Sequence, residues 1–76
     1  MKIGQLVRQA LSTGARRVCV WRPSWPDNAY LEVRFNERGI VEPVGAAVLE
    51  DDDGNVLSSQ PVAMLYAPVE EDYEVY

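Results

Sequence analysis

The stretch VCVWRPSWPDNAYLEV, residues 18–33, decides how the rest of the chain is arranged. An apolar run enters it at Val18 and Val20, and an alternating run leaves it through Tyr30, Leu31, Val33 and Phe35. Between them stand Pro23 and Pro26, which cannot donate to a strand ladder, with the turn formers Ser24, Asp27 and Asn28. The pattern predicts a strand over Arg17–Trp21, an ordered aromatic corner, and a second strand over Ala29–Asn36. Both tryptophans of the chain, Trp21 and Trp25, fall in this stretch, with Arg22 three residues before Trp25. The corner is therefore either a lid on the core or the floor of a binding site.

Upstream, Ile3, Leu6, Val7, Ala10 and Leu11 recur at helical period, and Lys2, Gln5, Arg8 and Gln9 lie off that stripe. A helix over residues 3–13 follows, stopped by Gly14. Downstream, Asn36–Gly39 closes the second strand as a turn, and a third strand is expected over Gly45–Glu50. Asp51–Asn55 has hairpin composition, with Gly54 placed for a positive φ, and Val56–Ser58 would pair back. Pro61–Tyr66 fits either strand or turn and is ended by Pro68, while Tyr73–Tyr76 alternates aromatic and polar residues as an edge strand would. One helix followed by short antiparallel strands defines an α+β fold, a single domain over residues 1–76 with the helix packed on a small sheet.

A chain of 76 residues can build only a thin core. With Cys19 alone no internal disulfide can form, and the absence of histidine argues against a zinc cluster. Burial between copies in a homo-oligomer is the simplest remedy. Seven basic against twelve acidic residues give a net charge of −5, which argues against a nucleic-acid partner. All the Lys and Arg lie in residues 1–38, so the second half is wholly anionic, with runs at Glu50–Asp53 and Glu70–Asp72. No apolar run is long enough to span a membrane and no signal peptide is visible, so a cytoplasmic protein is expected.

Candidate chemistry is sparse. Asp51, Asp53 and Asn55 alternate as calcium ligands do, but Gly54 stands fourth rather than sixth from Asp51 and position twelve is Val62, so a solvated hairpin tip is expected and no metal. Ser58 and Ser59 have no histidine to activate them, and no carboxylate pair sits in an apolar setting. No catalytic residue and no cofactor is expected. The aromatic corner offers more: Trp25 and Tyr30 supply flat faces, and Arg22 and Arg34 supply forked cations that suit phosphate. Arg–Trp pairs are also routine packing, so a structural corner, a nucleotide-type site and a protein-binding patch all remain open from composition.

Several of these residues, taken in order, resemble a family of small phage-borne domains that includes the second type of Thoeris anti-defence sponge and an anti-CRISPR relative. Ala10, Leu11 and Gly14 match its helix end, and Val20, Arg22 and Trp25 match Val-x-Arg-x-x-Trp. Tyr30-Leu31 matches its aromatic strand, Asp53-Gly54 its hairpin, and Glu71-Asp72-Tyr73-Glu74-Val75 its C-terminal signature, with Tyr73 where the family carries tryptophan. The resemblance implies a homo-oligomeric, non-enzymatic protein that sequesters a nucleotide-derived immune signal, of the cyclic ADP-ribose or cyclic oligonucleotide kind, at a subunit interface. Arg22, Trp25, Tyr30 and Arg34 are then the expected ligand-binding residues, Trp25 by stacking and Arg22 by facing phosphate or an acidic group of the neighbouring copy. The alternative is an acidic inhibitor that docks on a host defence complex, such as a CRISPR effector, through the anionic second half.

Overall fold

The apolar stripe of the N-terminal segment winds into helix α1, Ile3–Ser12, and buries Ile3, Leu6 and Val7. The computed structural model describes residues 1–67 and 70–76 of the chain. The helix starts where the Lys2 amide donates to Gln5 Oε1 at 2.9 Å and stops at Thr13, one residue before Gly14. Gly14, at φ 82°, directs its own N–H to Leu11 O.

Five strands follow: β1 Arg17–Trp21, β2 Ala29–Arg34, β3 Val44–Glu50, β4 Val56–Ala63 and β5 Glu74–Val75. They form one antiparallel sheet in the order β4-β3-β2-β1-β5. The α+β expectation is met: a single helix lies on one face of a small antiparallel sheet, packed chiefly on β1.

Alternation sorts the strands into two faces. Val18, Val20, Leu31 and Val33 point to the helix side, where Val20 and Val33 are wholly buried. Phe35 continues that row just beyond β2 and is equally buried. The opposite face carries Cys19 and Trp21 from β1 and Tyr30, Glu32 and Arg34 from β2. Trp21 is half-buried there.

β4 differs most from expectation. It runs five residues past Ser58, through Pro61, and only then tightens into a 3-10 turn at Met64–Tyr66. Pro61 stands opposite Ala46 in the β3–β4 ladder. A proline fits there because β4 is an edge strand, and a nitrogen turned toward solvent owes no hydrogen bond to the ladder. The expected strand end at Pro68 lies outside the described residues. β5 is shorter than Tyr73–Tyr76 suggested, since Tyr73 leaves the ladder to enter the core, where it is 1% exposed.

Candidate functional site

The corner between β1 and β2 is two consecutive tight turns. Trp25 N–H donates to Arg22 O at 2.9 Å, and Ala29 N–H to Pro26 O at 3.0 Å. Pro23 sits at the second position of the first turn, where its fixed φ suits the geometry. The turns hold Trp25 over the helix-side face, beyond the end of the helix's cover.

There the Trp25 ring meets the edge of Tyr73, with centroids 5.8 Å apart and planes at 68°. Tyr73 is fixed by main chain as well, because its N–H donates to Met1 O and its carbonyl accepts from the N-terminal ammonium at 2.9 Å. The Arg22 guanidinium lies 5.8 Å from the centroid of the same ring, and its Nη2 pairs with Glu71 Oε2 at 3.3 Å. Burial raises the Tyr73 phenol above its ordinary pKa; the Arg22 charge opposes this and Glu71 adds to it.

Trp25 and Tyr73 wall an apolar groove of about 410 Å³. Its floor is the part of the sheet that α1 does not cover: Leu31 from β2, Ala47 and Leu49 from β3, Gln60 and Val62 from β4. Ala67 borders it where the chain leaves the 3-10 turn. The groove is open rather than enclosed because β4 has no neighbour on its outer side.

The four expected binding residues do not converge on this groove. Arg22 and Trp25 come together at its Tyr73 wall. Tyr30 is among the residues that line the groove on its floor strand, but its ring turns to the opposite face, stacks on Tyr76 at 4.3 Å, and its hydroxyl donates to Glu50 Oε1 at 2.7 Å. That bond, with burial second, raises the Tyr30 phenol far above its ordinary pKa. Arg34 lies at the other end of β2 from the corner. It donates from Nε to Glu32 Oε1 at 2.7 Å, a carboxylate that also faces Arg17 at 3.8 Å. Tyr30 and Arg34 are therefore separated from Trp25 by the thickness of the sheet, because positions of even number in β2 project away from the helix.

Tyr73, Leu49 and Val62 line the groove without having been singled out. Tyr73 was legible as part of an aromatic-acidic alternation and of the C-terminal signature but not as a groove wall, and Val62 was obscured by Pro61 before it.

Elsewhere the acidic hairpin is a self-contained loop. Asp51 Oδ1 accepts from Asp53 N–H at 2.9 Å and Asn55 N–H at 2.8 Å, and these bonds, Asn55's foremost, hold its carboxyl below the usual range. Among the described residues no three His, Cys, Asp or Glu side chains gather as a metal-binding group. Cys19 is half-buried on the Tyr76 face, and burial followed by the Glu32 charge raises its thiol pKa, the reverse of what a reactive thiolate needs. No helix of the described residues is long and apolar enough to cross a membrane. Comparisons with protein-family models, with curated proteins and with solved structures found no match.

Proposed function

We propose that this chain is a non-enzymatic binding protein that sequesters a nucleotide-derived signal, in the manner of a phage counter-defence sponge acting in the host cytoplasm. The observation that carries the reading is the groove of about 410 Å³ with an indole and a phenol for one wall, and with the Arg22 guanidinium 5.8 Å from the centroid of that phenol. Flat aromatic walls favour a planar base, and stacking on one aromatic side chain is worth about 1–3 kcal/mol. Arg22 is partly exposed and paired with a Glu71 that is more exposed still, so its fork can exchange one carboxylate for a ligand phosphate at modest cost. Sequestration needs no chemistry: a tight site in excess over its signal removes that signal by mass action.

Calorimetry against cyclic ADP-ribose isomers and cyclic dinucleotides tests the proposal. Binding by one of them, weakened about ten-fold or more in Trp25→Ala, supports it. Absence of binding across the panel rejects it.

A second reading has its own observation. The corner at 22–28, the hairpin at 51–55 and the segment at 70–74 meet at one end of the strands, as the Glu50 N–H to Asn28 O bond and the Arg22–Glu71 pair require. Asp27, the 50–53 run and Glu74 thereby form one acidic end, joined by a 70–72 run whose acids pair with Lys2, Arg22 and the N-terminal ammonium, and this end could compete for a basic surface of a defence complex. Asp52→Asn with Asp53→Asn removes charge from the tip of that end; it would abolish activity under this reading and leave signal binding intact under the first.

A further inference from the structure

We infer that β4 is a self-pairing edge, through which a second copy of this chain extends the sheet and joins its groove to that of the first. Edge strands are ordinarily blunted by charge, shortness or cover. β4 is not blunted in these ways: its eight residues, VLSSQPVA, carry no charge, and Val56 and Leu57 are 58% and 61% exposed, so its protection rests on Pro61 and on the register shift opposite Leu49 and Glu50 at its hairpin end. The far edge offers no comparable surface, since β5 has two residues. Immediately after β4, Leu65 and Tyr66 stand out at 85% and 83% exposed, the two most exposed large apolar side chains among the described residues.

Charge favours a second copy over a foreign strand, and antiparallel over parallel pairing. The end of the sheet that holds the β3–β4 hairpin is acidic. The opposite end holds Arg16, Arg17, Arg34 and Arg38, with Glu32, Glu37 and Glu42 the acids near them. Arg34 reaches the β4 side of that end, where it shares a surface depression with Ser59 and Pro61. Antiparallel pairing across a two-fold axis sets the acidic hairpin of each copy beside the arginine end of the other. It also brings Val56 and Leu57 of each toward the Leu65–Tyr66 turn of its mate. Because such an axis stands perpendicular to the sheet, both helices lie on the same side, and the two grooves merge over adjoining β4 strands.

Proline placement limits the pairing. With no N–H to give Ala46, Pro61 occupies a non-hydrogen-bonded position of the inner ladder, so its nitrogen faces out. Ser59, two residues away and opposite Val48, shares that orientation and turns its N–H to the outer edge. Pairing is therefore centred on the Ser59 side of Pro61. It does not depend on what the groove holds.

Sedimentation velocity and native mass spectrometry of the whole chain, from micromolar to millimolar, test this. The expected result is a concentration-dependent dimer that weakens with salt, with the Ser59 amide protected from hydrogen exchange in the dimer. Ser59→Pro keeps the inner ladder, as Pro61 already does, and should weaken the dimer at least about ten-fold. If circular dichroism shows that variant unfolded, Leu57→Lys and the Ser59 amide decide in its place. A chain that stays monomeric throughout overturns the inference and leaves the edge to a foreign strand. So does a dimer that keeps its affinity in the edge variants with Ser59 exchanging freely.

Discussion

At the scale of single residues, Tyr73 joins the parts of the candidate site. It closes the core, receives the edge of Trp25 and underlies Arg22, while its main chain clasps the N-terminus. Tyr73→Ala should cost about 3–5 kcal/mol, as removal of a buried aromatic does, read from denaturant unfolding. Trp25→Ala should cost less, about 1–3 kcal/mol, because its ring packs on the edge of the core and is only partly buried, and circular dichroism of the variant checks that binding is assayed on a folded protein. On the other sheet face, Tyr30 and Tyr76 both donate to the Glu50 carboxylate, and both phenols are raised in pKa, Tyr30 foremost by that bond and Tyr76 foremost by burial. A raised folded-state value means that the folded chain keeps the proton which the unfolded chain gives up. Stability should thus be intact below the ordinary value of 10.0 and fall as pH rises beyond it. Melting temperature measured across alkaline pH should show that fall, and Tyr30→Phe should flatten it; an identical slope in the variant would refute the coupling.

At the scale of elements, the sheet is registered by hydrophobic alternation and the groove by what the alternation leaves uncovered. Strands β1 and β2 were legible because valines and leucines recur at period two between Pro and Gly punctuation, and α1 because its stripe recurs at 3.6. β4 was not legible beyond Ser58. Its serines and proline have poor strand character, and only the edge position, which no sequence pattern announces, makes Pro61 admissible. The candidate site was half legible for a similar reason. Arg22 and Trp25 are close in sequence and share one turn, whereas sending Tyr30 and Arg34 to the far face needed the parity of β2, and Tyr73 arrives from the other end of the chain. Gly45 is a further constraint invisible in the sequence. A Cβ there would stand 2.7 Å from Glu32 O and 2.8 Å from Met64 Sδ, so main chain and thioether both fill its place. Gly45→Ala should destabilise by about 1–3 kcal/mol and displace Met64, observable in its methyl NMR resonance. Wild-type stability in that variant would show that the contact yields freely.

At the scale of the whole molecule, the uneven distribution of charge along the chain becomes a polarity in space. The acidic end holds the hairpin, the corner with its Arg22 and the C-terminal segment, while Arg16, Arg17, Arg34 and Arg38 gather at the other end. The apolar groove lies between them on a face that one short helix is too small to cover. The proposed ligand addresses the groove and the acidic docking alternative the end, while the proposed second copy pairs at the β4 edge and there adjoins both. Central to the account is the claim that the groove walled by Trp25 and Tyr73 takes a planar nucleotide-type ligand. Its most direct test is isothermal titration of the purified chain with cyclic ADP-ribose isomers and cyclic dinucleotides, in parallel with Trp25→Ala. The expected result is saturable binding of one of these ligands, with affinity reduced about ten-fold or more in the variant. No heat of binding from any of them, or equal affinity in the variant, would contradict it.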